Sequence, residues 1–260
     1  MRNPASLPAA VLRSKPSCNP QVSLTPIPAA ANILPFNLIV PSKGTPAGET
    51  VMEATACLSH HAATDSPEAW VETATRYGTD QGPYMWYFWE HLKHLQYNAF
   101  TMMEIGVYHG GSLATWKTLF PKAKIYALDI NPECARYEDL PRVKVTIGSQ
   151  ADPVTLDKWV KQVTDPIDLI IDDGSHVMEH LRASFMHLFP RLRPGGIYVL
   201  EDLGTCYWSD YGGGLHNRMS MIELLKSLVD NINYHWSGIG NPLEIGRMHF
   251  YPNICFVYKR

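Results

Sequence analysis

The stretch FTMMEIGVYHGGSLATWKTLFPKAKIYALDI, residues 100–130, decides the fold of this chain. A short apolar run, Phe100–Val107, leads into a glycine-rich loop, and the helical pattern of Ser112–Phe120 follows. A second apolar run, Lys124–Ile130, comes next. Apolar strands that alternate with helices are typical of a parallel sheet that is covered on both faces. The stretch therefore predicts the first β-α-β unit of a parallel sheet.

The same alternation continues toward the end of the chain. Further strands are predicted at Val143–Ile147, Ile167–Ile171 and Gly196–Leu200, and further helices at Pro153–Val163, His176–Phe189 and Met219–Asn231. Two last strands, Ile245–Phe250 and Asn253–Tyr258, must be antiparallel, because a parallel return needs a longer crossover than the two residues between them. The sequence therefore predicts an α/β fold: a doubly wound, Rossmann-like, mostly parallel sheet with an antiparallel strand at one edge.

The first 65 residues differ in composition from the rest. Nine of the 20 prolines lie among residues 1–50, and the first acidic residue is Glu49. No helical or strand periodicity is visible there, so we interpret residues 1–65 as a disordered, proline-rich extension, or alternatively as an organellar transit segment. Ser66 and Pro67 are typical of a helix start, which predicts a folded domain over residues 66–260. A second helix is predicted over Tyr84–Leu95.

The charge and the cysteines exclude several classes of protein. With 22 Lys and Arg against 25 Asp and Glu, the net charge is −3, which argues against a nucleic-acid binder and a polybasic membrane-surface protein. Prolines interrupt the longest uncharged stretch, residues 16–42, so no transmembrane helix is expected. The five cysteines are widely spaced and form no C-x-x-C pair, so a reducing compartment, the cytoplasm, is expected.

Side chains that bind ligands follow every predicted parallel strand. In a doubly wound sheet, ligands bind at the carboxyl ends of the strands, near the point where the strand order reverses. A functional site is therefore predicted at this edge of the sheet. Its residues are Glu104 and Gly106 at the end of the first strand, Asp129 at the end of the second, Gln150 after the third, Asp172 and Asp173 after the fourth, and Glu201 and Asp202 after the fifth.

The loop after the first strand favours S-adenosylmethionine over a dinucleotide. Its glycines, at positions 106, 110 and 111, do not have the G-x-G-x-x-G spacing. Glu104 suits the ammonium group of S-adenosylmethionine, whereas it would repel a pyrophosphate. Asp129 is placed to accept hydrogen bonds from a ribose diol, and Gln150 to reach the adenine edge. A nicotinamide-linked oxidoreductase on the same sheet stays open as an alternative.

Three acids at the ends of neighbouring strands predict a metal site. Asp173, Glu201 and Asp202 lie together at the carboxyl ends of the parallel strands, and hard oxygen ligands suit Mg²⁺. His176 is the candidate general base, since a neutral imidazole can remove the proton of a metal-activated hydroxyl. A non-catalytic cofactor-binding module is a further alternative, although it needs neither a metal nor a base. Residues 176–180 also match the metallopeptidase pattern H-x-x-E-H, but this match begins at a helix start beside acids.

Six segments together resemble the class I S-adenosylmethionine-dependent methyltransferases. Within that class they are most similar to the metal-dependent macrolide sugar O-methyltransferases of the mycinamicin type, and to the related cephalosporin hydroxylase-like family. The resemblance extends over most of the predicted folded domain. It rests on Glu104–Ser112, Leu128–Ile130, Gly148–Gln150, Asp172–His176, Leu192–Gly196 and Glu201–Trp208.

The resemblance implies a class I methyltransferase fold and a role for each matched residue. The implied reaction transfers a methyl group from S-adenosylmethionine to a hydroxyl of a small molecule, a sugar or another natural product with a vicinal diol. No nucleic-acid or membrane partner is implied, and a homo-oligomer stays open. The implied roles are Mg²⁺ binding for Asp173, Glu201 and Asp202, general base for His176, and cofactor binding for Glu104, Gly106, Ser112, Asp129, Gln150 and Asp172.

An upstream segment also has a counterpart in that family. Residues 77–81, which read YGTDQ, are similar to a Tyr-Gly-Ser-Asp-Lys segment that helps to close the cofactor site. Gln81 stands here in place of the lysine.

Overall fold

The computed structural model of this chain describes residues 65–260. The interpretation of residues 1–65 falls outside the described residues, apart from Asp65, and stays a prediction. The strands in the described part are β1 Thr101–Ile105, β2 Lys124–Asp129, β3 Val143–Ile147, β4 Ile167–Asp172, β5 Leu192–Leu200, β6 Ile245–Tyr251 and β7 Ile254–Lys259. The α-helices there are α1 Pro67–Tyr77, α2 Met85–Leu92, α3 Gly111–Leu119, α4 Pro153–Val160, α5 Met178–Leu188, α6 Met221–Ile232 and α7 Tyr234–Ser237.

The strands form one sheet in the order β3-β2-β1-β4-β5-β7-β6. Strands β1 to β5 run parallel, and β7 pairs antiparallel with both β5 and β6. This confirms the predicted doubly wound, mostly parallel sheet with an antiparallel edge. Both of the last two strands belong to that edge, since β7 enters between β5 and β6.

Helices cover both faces of the sheet and give the fold two hydrophobic layers. Helices α1, α2 and α3 pack on one face, where Trp70, Phe88 and Trp116 are fully buried. Helices α4, α5 and α6 pack on the other face around Trp159 and Phe185. Burial on both faces explains why the strands are nearly continuous apolar runs rather than alternating patterns.

Capping residues determine where helices α1 and α4 begin and where α1 ends. Ser66 Oγ accepts a hydrogen bond from the N–H of Ala69 at 3.3 Å, and Pro67 occupies the first turn of α1. Gly78 ends α1 in the left-handed conformation, with φ 67°. Asp152 caps α4 by accepting hydrogen bonds from two amides of its first turn. The helix start predicted at Ser66 agrees with this geometry.

Several element boundaries differ from the sequence prediction. Helix α5 begins at Met178 rather than at His176, because His176 has a left-handed backbone, with φ 57°, that a helix cannot contain. Strand β5 begins at Leu192, and α6 begins at Met221 after its cap Ser220. The helix predicted before β1 is the shorter α2 with a 3₁₀ turn at each end.

The described cysteines take no part in crosslinks. Cys134, Cys206 and Cys255 are buried free thiols. Within residues 65–260, no helix combines the length and the apolar character that crossing a membrane requires.

The core assignment predicts a difference between two phenylalanines on neighbouring strands. Phe256 in β7 is fully buried and lies edge-on to Phe88, with ring centroids 5.6 Å apart. We expect Phe256→Ala to lower the free energy of unfolding by about 3–5 kcal/mol, because it leaves a cavity. Phe250→Ala on the edge strand β6, where the side chain is 44% exposed, is the control and should cost about 1 kcal/mol or less. Urea unfolding measures both, and equal losses would contradict the assignment.

Candidate cofactor and metal site

The site lies where the strand order reverses. The chain runs outward from β1 to β2 and β3, and then returns so that β4 pairs with the other side of β1. The ends of β1 and β4 are in register at Ile105 and Asp172. Helices that follow these two strands cover opposite faces of the sheet, which leaves a crevice between the two connecting loops.

A cavity of about 650 Å³ occupies this crevice, a size that suits a small molecule. Its walls are residues 78–80 after α1, the loop after β1, and the residues that follow β2, β3 and β4. Four residues that the sequence assigned to the cofactor line it, namely Gly106, Ser112, Asp129 and Gln150. The other two, Glu104 and Asp172, are fully buried at the ends of the strands beneath it.

Gly106 lets the loop after β1 lie directly against the loop after β4. Its φ of 95° belongs to the left-handed region, and a Cβ atom there would overlap the backbone carbonyl of Asp173. Its own N–H donates to the Leu128 carbonyl at 2.9 Å, which ties the loop to β2. Any side chain at position 106 would therefore push apart two loops that form the cavity.

The Asp129 carboxylate organises the same loop from the end of β2. Its Oδ2 accepts hydrogen bonds from the N–H groups of Val107 and Tyr108, at 2.7 and 3.0 Å, and its Oδ1 accepts one from Asn131 at 2.7 Å. Burial raises the pKa of Asp129, but these backbone donors outweigh burial and leave the pKa below its ordinary value. Asp129 also lines the cavity, so its carboxylate lies within reach of a hydroxyl group bound there.

Glu104 has one oxygen that is buried without a donor. Its Oε1 accepts a hydrogen bond from Trp116 Nε1 at 2.8 Å, whereas no residue in the described part of the chain donates to Oε2. Burial raises the pKa of Glu104 to about 7, and the hydrogen bond from Trp116 offsets only part of this effect. A buried acceptor without a donor is unfavourable. The position therefore fits a ligand that brings an ammonium or another donor to the end of β1.

Asp172 does not line the cavity itself but holds in place residues that do. Its Oδ2 accepts hydrogen bonds from Ser184 Oγ at 2.6 Å and from the Tyr198 hydroxyl at 2.8 Å, and its Oδ1 accepts one from Gln150 Nε2 at 3.0 Å. Gln150 Oε1 in turn accepts a hydrogen bond from the N–H of Ser175 at 2.8 Å. Asp172 therefore fixes the Gln150 amide and the loop after β4, both of which line the cavity.

Acidic side chains and one histidine meet at the ends of β4 and β5. One ligand atom each from Asp173, His176 and Asp202 lies within 4.8 Å of the other two. His176 Nε2 is 3.8 Å from Asp202 Oδ2, and His176 Nδ1 is buried without a hydrogen-bond partner among the described residues. Glu201, the third acid of the predicted metal site, is buried next to this group. The possible ligand set therefore differs from the predicted one: it contains His176, whereas Glu201 lies beside it, joined to Asp173 through the Gln81 amide.

The electrostatics of this acid cluster fit a divalent cation. Burial raises the pKa of Asp173 and of Glu201 well above the ordinary range, and the carboxylates of Asp80 and Asp202 raise both further. Glu201 Oε2 has no donor within the described part of the chain, and His176 Nε2 lies 3.8 Å from Asp202 Oδ2. Carboxylate oxygens are the ligands that Mg²⁺ prefers, so the residues present fit this metal.

Two residues of the cluster have a strained backbone. His176 has φ 57° and Asp202 has φ 53°, in the left-handed region that few residues other than glycine adopt. Such conformations are concentrated at functional sites, where the surrounding structure holds them in place. Their occurrence at both ends of the 3.8 Å His–Asp contact supports a functional role for this contact.

The sequence pattern did not predict the side chains that hold the site residues in place. Only the similarity of residues 77–81 to a family segment drew attention to the region of Gln81, and it indicated a contact with the cofactor rather than with the acids. The missed donors are Trp116 for Glu104, Ser184 and Tyr198 for Asp172, Gln81 for Glu201, and Tyr84 and Asn253 for Asp202.

This sheet order, with a ligand cavity at the strand reversal and an acid cluster beside it, is that of the class I methyltransferase fold. Residues 103–203 match the family model described as a methyltransferase domain. That range extends from β1 to the first residues after β5 and contains most of the cavity. The resemblance seen in the sequence is therefore confirmed.

Named relatives resemble the chain over about 200 residues. It is 37% identical over 205 residues to the 8-demethyl-8-alpha-L-rhamnosyl tetracenomycin-C 2'-O-methyltransferase of Streptomyces olivaceus, which covers 72% of this chain and 53% of the relative. It is 35% identical over 210 residues to the mycinamicin VI 2''-O-methyltransferase of Micromonospora griseorubida, which covers 72% and 52%. The chain thus spans about half the length of the curated relatives it matches.

A solved structure shows the same architecture. The MycE methyltransferase from the mycinamycin biosynthetic pathway, in complex with Mg, SAH and mycinamycin VI, aligns with a TM-score of 0.68 at 34% identity. The alignment covers 73% of this chain and 53% of that one. This similarity confirms the class I methyltransferase fold.

The buried carboxyl of Glu104 predicts a pH dependence of stability. Its pKa rises from 4.5 to about 7 on folding, so the folded state holds the proton more tightly, and stability without ligand falls as the pH rises between these values. In the wild type we expect this rise in pH to lower the free energy of unfolding by an amount on the order of 3 kcal/mol. Glu104→Gln cannot ionise and should not show this decrease. Urea unfolding at pH 5 and pH 8 measures it, with the exposed Glu133→Gln as control. If the free energy of unfolding changed with pH equally in wild type and E104Q, burial would not have raised the pKa of Glu104.

Proposed function

We propose that this chain carries a Mg²⁺-dependent O-methyltransferase. It would transfer a methyl group from S-adenosylmethionine to a hydroxyl of a small molecule, a sugar or another natural product with a vicinal diol. The observation that carries the proposal is the cavity at the strand reversal, which Asp173 and His176 of the acid cluster also line. Similarity to named sugar O-methyltransferases, and to a structure in complex with Mg and SAH, supports the activity and both cofactors.

The cofactor would lie across the ends of β1, β2 and β3. We assign its amino-acid part to Gly106, Ser112 and the unpaired oxygen of Glu104, because a buried acceptor suits an ammonium group. Asp129, which lines the cavity at the end of β2, would accept a hydrogen bond from a ribose hydroxyl. Gln150 would lie at the adenine, in the orientation that Asp172 gives its amide.

The acid cluster would hold the metal and the base. When bound, S-adenosylmethionine supplies an electrophilic methyl group, and Mg²⁺ lowers the pKa of the acceptor hydroxyl. Asp173, Glu201 and Asp202 would hold Mg²⁺ through carboxylate oxygens. His176 would take the proton of the acceptor hydroxyl, and its Nε2 atom lies 3.8 Å from Asp202 Oδ2.

The acceptor would bind beside the segment that follows Asp202. This segment forms two 3₁₀ turns, Leu203–Tyr207 and Ser209–Tyr211, and exposes the rings of Tyr207 and Trp208. We propose that residues 205–214 close over the acceptor, with Gly212, at φ 75°, as a hinge. We further propose that the catalytic domain is residues 66–260, with residues 1–65 as an extension, and that it works in the cytoplasm.

Ligand binding separates this proposal from its alternatives. We expect calorimetry to show binding of S-adenosylhomocysteine and none of NAD⁺; the reverse would favour an oxidoreductase. With labelled S-adenosylmethionine, turnover of an acceptor drawn from glycosides, catechols and polyketides should cease in EDTA and return with Mg²⁺. Binding of S-adenosylhomocysteine without turnover of any of these would favour a non-catalytic module.

The role of His176 predicts a specific pattern of losses. We expect His176→Ala to lower kcat by about 10²- to 10⁴-fold, because it removes the base, while it retains binding of S-adenosylhomocysteine and of Mn²⁺. Asp173→Ala is the comparison and should lose Mn²⁺ binding as well. Full activity of H176A would show that the base is another group. Loss of Mn²⁺ binding together with activity in H176A would make the imidazole a metal ligand.

A further inference from the structure

The segment between α1 and α2 contacts both the cofactor cavity and the acid cluster. Its first residues, 78–80, line the cavity. Two later residues, Gln81 and Tyr84, donate hydrogen bonds to acids of the cluster. These two side chains reach residues that lie more than a hundred positions later in the chain, at the end of β5.

Gln81 bridges the ends of β4 and β5. Only 1% of its surface is exposed. Its Nε2 donates to Glu201 Oε1 at 2.8 Å and lies 3.4 Å from Asp173 Oδ2. The Gln81 Oε1 atom faces the Thr79 hydroxyl at 3.5 Å, so the amide points its NH₂ group at the acids.

Tyr84 and Asn253 hold Asp202 from two sides. The Tyr84 hydroxyl donates to Asp202 Oδ1 at 2.7 Å, and Asn253 Nδ2 donates to the same oxygen at 2.8 Å. Asn253 lies in the turn between β6 and β7, contacts the Tyr84 hydroxyl, and accepts a hydrogen bond from the N–H of Gly204. Neutral donors from two separate parts of the chain therefore meet at one oxygen of Asp202.

In both acids one oxygen accepts a hydrogen bond, and the other receives none from the residues that the structure describes. Glu201 Oε1 is bound to Gln81, while Oε2 is buried without a donor in the described part of the chain. Asp202 Oδ1 is bound to Tyr84, while Oδ2 faces His176. We infer that Gln81 and Tyr84 are positioning residues that hold Glu201 and Asp202 with one oxygen of each turned toward a divalent cation. This inference rests on the metal site of the proposed function.

The charge of the donors matters as much as their position. Asp80, Asp173, Glu201 and Asp202 repel one another, and mobile side chains would move apart before the cation arrives. An amide and a hydroxyl hold these carboxylates in place without neutralising them. The donors therefore bring no positive charge that would oppose the metal, and the site does not have to assemble when the metal binds.

Two substitutions remove these donors with little change in volume. Tyr84→Phe removes the hydroxyl, and Gln81→Leu removes the amide. We expect each to weaken Mn²⁺ binding by about 10- to 100-fold, which is the usual effect of losing a group that orients a metal ligand. Titration of the full chain with Mn²⁺, followed by EPR of the free ion in the presence of S-adenosylhomocysteine, measures the affinity. The Mg²⁺ concentration for half-maximal turnover should rise more than kcat at saturating Mg²⁺ falls.

The matched controls remove a tyrosine hydroxyl and a glutamine amide away from the acid cluster. Tyr258→Phe removes a hydroxyl that is 2.6 Å from His91 Nδ1 in the core, and Gln162→Leu removes an amide that donates to Thr146 Oγ1 at 2.8 Å. Both should leave the Mn²⁺ affinity unchanged. Melting temperatures in EDTA and affinities for S-adenosylhomocysteine, measured for all four variants, show which of them retain the fold.

The outcomes distinguish this inference from the proposed function. Folded Y84F and Q81L with wild-type Mn²⁺ affinity would overturn the positioning role and leave the proposed function intact. Wild-type protein that binds S-adenosylhomocysteine but no Mn²⁺ would overturn the metal part of that function, and the inference with it. If Q81L does not fold, the Mn²⁺ affinity of Y84F decides alone, since loss of one hydroxyl is the milder change.

Discussion

The whole site depends on carboxylates that are buried together at one edge of the sheet. Asp172 is satisfied by three neutral donors, whereas Glu104 and Glu201 each keep one oxygen without a donor in the described part of the chain. Burying charge is unfavourable unless it is paired or hydrogen-bonded. The large apolar layers on both faces of the sheet offset this cost, and what the carboxylates lack is what a cation or an ammonium group provides.

The residues at the strand ends could be predicted from the sequence, because parallel strands bring their last residues to one edge. The order of elements along the chain was enough to bring Asp129, Gln150, Asp173 and Glu201 to this edge, without any knowledge of side-chain contacts. The same reasoning does not say which side chain faces the ligand. It did not show that Asp172 lies beneath the cavity and acts through the Gln150 amide.

The side chains that hold the acids in place could not be predicted, since they reach the acids from distant parts of the chain. Gln81 and Tyr84 precede β1 and hold acids that follow β5, and no periodicity or local spacing relates the two. Asn253 has the sequence context of an ordinary hairpin turn. The late start of α5 has the same origin, because the left-handed backbone of His176 is held by its surroundings rather than by local helix propensity.

The close approach at Gly106 joins two loops that are far apart in the sequence. The loop after β1 lies so near the Asp173 carbonyl that neither loop can change its path alone. A chimera that takes β1 and its loop from one parent and β4 from another keeps the cavity only where glycine stands at position 106. Exchange of either loop alone between relatives is thus limited by how well the two loops fit against each other.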